Sequence, residues 1–120
     1  MNGYRWMRVT RAETVPLREG RAVTLAGREI AIFNLGDRFL ATDNQCPHQG
    51  GPLCDGIVAG DSVVCPLHAW KVRLDSGVVE RPAARHACVA TYPTRLEDGI
   101  VWLGLPLAAV TAASTGEHAA

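Results

Sequence analysis

Between residues 6 and 103 the chain is cut into short apolar or alternating runs by Gly, Asp and Pro, and no convincing amphipathic helix precedes residue 105. Strands are expected at 6–9, 22–25, 29–35, 38–41, 62–64, 70–73, 88–93 and 100–103. Turns are expected at Arg18-Glu19-Gly20, Ala26-Gly27, Gly36-Asp37, Ala59-Gly60-Asp61, Asp75-Ser76-Gly77 and Glu97-Asp98-Gly99. Gly36-Asp37 between two apolar runs is a hairpin signal, because glycine adopts the positive φ that a tight turn demands. Many short strands at regular spacing predict an all-β protein, an antiparallel β-sandwich or small barrel. No internal repeat is visible.

A length of 120 residues fits one core and one domain, and 48% apolar against 20% charged residues is the balance of a folded globular chain. Twelve basic residues match twelve acidic ones. That balance argues against a nucleic-acid binder, which needs positive excess, and against a polybasic membrane anchor. The opening M-N-G-Y-R-W-M-R-V-T has no apolar h-region, and no window approaches the run of about 18 apolar residues that spans a bilayer. A cytoplasmic setting is the expectation. There thiols stay reduced, and clustered Cys and His suggest a metal before a disulfide.

Two turns carry the chemistry. Cys46-Pro47-His48 opens C-P-H-Q-G-G-P-L-C, and Cys65-Pro66-Leu67-His68 opens C-P-L-H-A-W, with sixteen residues between His48 and Cys65. The intervening chain is long enough to bring the second turn back beside the first. Two thiolates and two imidazoles would then face one site. Gly50 and Gly51 would let the backbone approach a bulky inorganic centre, Pro47 and Pro66 would stiffen the turns, and backbone N–H groups would point at anionic sulfur. Three readings compete at this level: core cysteines with incidental histidines, a structural zinc site, or an iron–sulfur cluster with mixed ligands. Zinc knuckles usually pair Cys with Cys and His with His, whereas each turn here holds one of each.

The runs C-P-H-Q-G-G-P-L and C-P-L-H-A-W-K resemble the Rieske family, in which two cysteines hold one iron of a [2Fe–2S] cluster and two histidines hold the other. The resemblance implies that Cys46 and Cys65 bind the inner iron and that His48 and His68 bind the iron nearer the surface. It also implies two packed antiparallel sheets, with the cluster at the tip of a subdomain spanning about residues 43–80. A Rieske domain would occupy 1–105, with a flexible tail at 106–120. Replacing two thiolates by neutral imidazoles removes negative charge and raises the potential above that of a four-cysteine cluster.

Rieske subunits of cytochrome bc complexes carry an added disulfide between the two loops, and the matching positions here are Gly51 and Leu67. Their hydroxyl donors, two and four residues after the second ligand histidine, are replaced by Trp70 and Val72. The loss of those donors predicts a potential near the low end of the Rieske range, roughly −150 mV or somewhat below. His86 and His118 are the only other histidines, too few for a mononuclear iron site, so the chain reads as an electron-transfer module without a substrate site. The runs C-P-L-H-A-W-K-V-R-L-D-S-G and H-A-C-V-A-T-Y-P are similar to the small subunit of NAD(P)H-dependent assimilatory nitrite reductase. That resemblance implies a large partner subunit carrying FAD, a [4Fe–4S] cluster and sirohaem, which reduces nitrite to ammonium. The alternative is the ferredoxin of an aromatic-ring dioxygenase system, with an oxygenase and its reductase as partners. A structural subunit with zinc or a redox-silent cluster is the third reading.

Outside the four candidate ligands, Cys54 and Cys88 are expected to be small buried or half-buried residues, and His86 a surface residue. Trp70 is expected to pack beneath the cluster loop, with partner docking as the alternative. Leu53, Leu67, Ala69 and Gln49 are candidates for a rim around exposed histidines. Lys71 and Arg73 read as a solvated strand face, and Asp75-Ser76-Gly77 as a turn.

Overall fold

In the computed structural model, the residues described are 3–46, 51–67, 69–81 and 87–106. They form eleven strands: β1 (Tyr4–Arg11), β2 (Gly20–Leu25), β3 (Arg28–Asn34), β4 (Phe39–Asp43), β5 (Ile57–Ala59), β6 (Ser62–Val64), β7 (Lys71–Arg73), β8 (Val79–Arg81), β9 (Thr91–Tyr92), β10 (Thr94–Glu97) and β11 (Ile100–Pro106). The only helical pieces among them are two single 3₁₀ turns, Ala12–Thr14 and Leu53–Asp55. The strands make three antiparallel sheets in the orders β1-β11-β10, β2-β3-β4-β9 and β5-β6-β7-β8. The expected all-β architecture of antiparallel sheets is the one observed.

The turn chemistry accounts for most connections. Ala26-Gly27 joins β2 to β3, and Asp98-Gly99 joins β10 to β11. All four residues have positive φ, the conformation a two-residue hairpin needs to match strand twist. Between β3 and β4, Gly36 sits at φ +97, and its N–H donates to Asn34 Oδ1 at 2.8 Å.

β3 explains the continuous apolar run I-A-I-F, because it is buried on both faces. Ile30 and Ile32 point into a distal core with Val15, Phe39, Val101, Leu103 and Leu105, between the first two sheets. Ala31 and Phe33 point the other way. There they meet Cys46, Leu53, Val63, Cys65, Val72 and Leu74 in a second core beneath the third sheet. β3, with Leu40 of β4 beside it, therefore ties the loop-bearing sheet to the sandwich.

Four strands differ from the sequence expectation. β5 and β8 were not anticipated; they exist because β6 and β7 offer ladder partners. The strand expected at 88–93 shrinks to β9. Pro93 lacks a ladder N–H, and after it the chain leaves β4 for β11 as the separate β10. Cys88 keeps only an isolated bridge to Val78. Pro106 closes β11 opposite Tyr4, one residue beyond the expected domain end, and the remainder of the expected tail lies outside the described residues. No helix among the described residues is long and apolar enough to cross a membrane.

Candidate metal centre

Two loops come off the strands at one end of the second core. The first leaves β4 at Asp43, carries Cys46 and returns through the 3₁₀ turn Leu53–Asp55. The second joins β6 to β7 and carries Cys65. Each is closed by a backbone bond next to its cysteine: Cys46 N–H donates to Gly51 O at 2.8 Å, and Cys65 N–H to Trp70 O at 2.7 Å. The second loop turns at Ala69, which takes a positive φ of 57°.

The structure brings both cysteines into the same core, with Cys46 2% and Cys65 1% exposed, and neither is in a disulfide. The loops lie against one another. A Cβ on Gly51 would stand 3.0 Å from Cys65 Sγ and 2.9 Å from Leu67 Cδ1, so any side chain at 51 would push on the second loop. Positions 51 and 67 thus face each other, occupied here by a glycine and a leucine that cannot form a bond. Cys65 Sγ accepts the Leu67 N–H at 3.4 Å, a backbone donor aimed at sulfur. His48, His68 and Gln49 lie outside the described residues.

The first loop is tied down at its base. Asn44, 3% exposed, donates its N–H to Glu29 O at 3.0 Å, and its Oδ1 accepts Cys54 N–H at 2.8 Å. Asp43 N–H donates to Ala90 O at 2.9 Å. Tyr92 OH donates to the Asp43 carboxylate and accepts from Arg28 Nη1, the latter at 3.0 Å. Burial, and then the bond to Asp43, push the Tyr92 hydroxyl up to about 12. The sequence reading missed this group. Its only sequence signal is a run of polar residues, Asp43-Asn44-Gln45, directly before the first cysteine.

Other expectations sort clearly. Trp70 is half-buried against the second core, as the packing reading holds. Leu53 is not on a rim; it is fully buried beneath the loops, because the 3₁₀ turn points it inward. Leu67 is 41% exposed and Ala69 is exposed, so both remain available at the surface of the second loop. Arg73 pairs with Asp75 at 2.6 Å on the outer side of β7, while Val72 and Leu74 face the core. That pairing and its hydrogen bond hold the Asp75 carboxyl down at about 2. Cys54 is half-buried, and burial raises its thiol pKa. Cys88, expected to be buried or half-buried, is exposed because its bridge to Val78 runs along the surface. His86 lies outside the described residues.

A buried pair of thiols, a glycine cradle that a Cβ would fill and an N–H aimed at sulfur make a setting for an iron–sulfur core. The family model for the Rieske [2Fe-2S] domain matches residues 5–93. The chain belongs to the Rieske family. A Rieske domain holds one [2Fe–2S] cluster and transfers electrons, and the donor chemistry described here fits that group.

Among relatives, the chain is 33% identical over 90 residues to the 3-phenylpropionate/cinnamic acid dioxygenase ferredoxin subunit of Shigella flexneri, covering 73% of this chain and 84% of that protein. It is 30% identical over 115 residues to the 4beta-methylsterol monooxygenase of Methylococcus capsulatus, covering 86% of this chain but only 30% of that longer protein. Among solved structures, the Sphingomonas yanoikuyae B1 ferredoxin superposes with a TM-score of 0.76 at 27% identity, over 85% of this chain and all of that one. A Mycobacterium tuberculosis chain, proposed to be the small subunit of an NADH-dependent nitrite reductase, superposes with a TM-score of 0.75 at 24% identity, over 84% of this chain and 95% of that one. At that identity the likeness is one of fold.

Proposed function

We propose that Cys46 and Cys65 hold one iron of the cluster and His48 and His68 the other, and that the chain is the ferredoxin of an oxygenase system, carrying electrons from a reductase to an oxygenase. Similarity along 84% of the length of a dioxygenase ferredoxin supports this assignment of partners. The alternative, the small subunit of a nitrite reductase with a sirohaem- and FAD-bearing large subunit, rests on the run from Cys65 to Gly77 and on Cys88-x-x-x-Tyr92-Pro93.

When bound, the cluster supplies a one-electron couple. The chain's own residues set its surroundings. Leu53, Val63 and Val72 keep water from beneath it, since all three are fully buried. Leu67 N–H stabilises negative charge on Cys65 Sγ. At the surface, Pro66, Leu67 and Ala69 present a small exposed patch of low polarity, suited to a brief encounter with a redox partner. Val72 has no hydroxyl and Trp70 only an indole N–H. With two hydroxyl donors missing, the reduced centre is less stabilised and the midpoint is expected at the low end of the Rieske range, roughly −150 mV or somewhat below.

The test uses anaerobically purified protein, with EPR after dithionite and a redox titration. The expected result is a reduced [2Fe–2S] signal with a low midpoint, absent from Cys46→Ser and Cys65→Ser. A colourless protein with one zinc would overturn the electron-transfer reading. Stopped-flow mixing of the reduced protein with its host's ring-hydroxylating oxygenase or sirohaem nitrite reductase then decides the partner, by which one reoxidises it.

A further inference from the structure

We propose that Asn44, backed by the Asp43–Tyr92 pair, is a positioning residue that fixes the ascending leg of the first cluster loop and so sets the geometry at Cys46. The inference rests on Cys46 being a cluster ligand. Asn44 sits two residues before Cys46 and ten before Cys54, and its side-chain oxygen accepts the Cys54 N–H at 2.8 Å. One amide therefore bridges the two legs of the loop at its neck. The same residue donates its backbone N–H to Glu29 O at 3.0 Å, which anchors the neck to β3. It is 3% exposed, so water does not readily replace the bond to Cys54 N–H.

One step earlier the chain is pinned again. Asp43 N–H bonds Ala90 O at 2.9 Å, and the Asp43 carboxylate accepts a hydrogen bond from the Tyr92 hydroxyl. Arg28 donates to the same hydroxyl at 3.0 Å, so β3, β4 and β9 converge on one polar knot. Above the neck, Cys46 N–H reaches Gly51 O at 2.8 Å, and Gly51 lies against Cys65. A shift of the ascending leg would move Cys46 and Gly51 together and separate the first loop from the second. The distal core has no share in this chain of contacts apart from Tyr92, whose ring lies in it.

The experiment measures two properties of the cluster-loaded protein: the rate of iron loss to bathophenanthroline, and the EPR line shape of the reduced centre. Asn44→Ala is expected to lose iron about tenfold faster, the scale at which partners behind a metal ligand act, and to show a shifted line shape. Asn44→Asp keeps an acceptor oxygen for Cys54 N–H and is expected to restore retention most of the way. A merely structural role would lower the melting temperature without moving the line shape. Wild-type loss rate and line shape in Asn44→Ala would overturn the proposal. If Asn44→Ala does not fold, Tyr92→Phe decides, since it keeps ring volume while releasing Asp43: faster loss and a shifted line shape support the clamp, and unchanged values overturn it. Cys46→Ser reports separately on the ligand assignment. Retention of a normal cluster in that variant would remove the basis of the ligand reading, whatever Asn44 does.

Discussion

Gly51 shows how much one missing atom matters. Its place in the first loop leaves room for Cys65 Sγ and the Leu67 side chain, which an added Cβ would approach to 3.0 and 2.9 Å. Leu67 is at the surface and its end can swing away, but Cys65, a cluster ligand under the proposed assignment, would not. Gly51→Ala is therefore expected to fold while losing most of its bound iron and sulfide, measured as content per chain after anaerobic purification, with a cost of about 1–3 kcal/mol for overpacking. Full occupancy would mean that the loops do not meet as tightly as they do here. Tyr92 gives a residue-scale prediction with a pH dependence. Its hydroxyl is pushed from 10.0 up to about 12, first by burial and then by the Asp43 carboxylate, with Arg28 opposing. Above pH 10 the unfolded chain releases this proton while the folded one keeps it. The stability contributed by the neutral hydroxyl is thus whole below pH 10 and falls as pH rises toward about 12. The difference in urea midpoint between wild type and Tyr92→Phe should shrink across that interval, and a difference that grows would contradict the assignment.

Among the elements, those that were legible in the sequence are the ones whose local signals agree with their surroundings. Ala26-Gly27 and Asp98-Gly99 marked real hairpins, and the run at 29–35 marked the strand that both cores share. The paired Cys-Pro turns showed which two segments had to meet. What stayed hidden was created by tertiary partners. β5 and β8 are three residues each and exist as ladder neighbours of β6 and β7, and the exposure of Cys88 follows from a single bridge. The polar knot at Asp43, Asn44 and Tyr92 could not be read either, since Tyr92 lies 49 positions from Asp43 and nothing in their local sequences links them. Gly77 offers the sharpest test at this scale. It stands at φ +78 at the end of the turn before β8, donates to Arg73 O and accepts from Val89 N–H. A Cβ there would lie 2.0 Å from Val89 O, a clash with backbone that no rotamer relieves. Gly77→Ala is expected to cost about 2–4 kcal/mol in urea denaturation, from strain and the lost bridge together. Gly60→Ala, also at positive φ but with nothing within 4 Å of the added carbon, should cost about 1 kcal/mol. Equal losses would mean that strain alone, and not the clash with Val89, governs position 77.

At the scale of the whole molecule, the fold separates support from chemistry. The distal core is built from β3, β4, β9 and β11 with long ladders, β1 against β11 and β2 against β3. The third sheet consists of three-residue strands, and its core includes both buried cysteines. Two hydrophobic assemblies joined through β3, with Leu40 of β4 beside it, need not be equally stable, because local opening follows local burial and ladder length. Metal binding adds stability only to states in which the ligands are assembled, so removal of the cluster should weaken the loop-bearing half first. Amide hydrogen exchange of cluster-loaded and iron-free protein measures this directly. In the iron-free form, Val63, Val72 and Val79 should exchange much faster than when loaded. Ile30, Ile32 and Leu103 should keep most of their protection, since their strands are laddered within the first two sheets, β3 between β2 and β4 and β11 between β1 and β10. Residues Ala31 and Phe33 belong to the same strand as Ile30 and Ile32 but face the other core, and their amides sit in the ladders that hold β3 between β2 and β4. They should follow the distal group, because exchange reports the ladder and not the side chain. Uniform loss of protection across both groups would mean that the molecule unfolds as a single unit, and that the cluster holds up the whole sandwich as well as its own sheet.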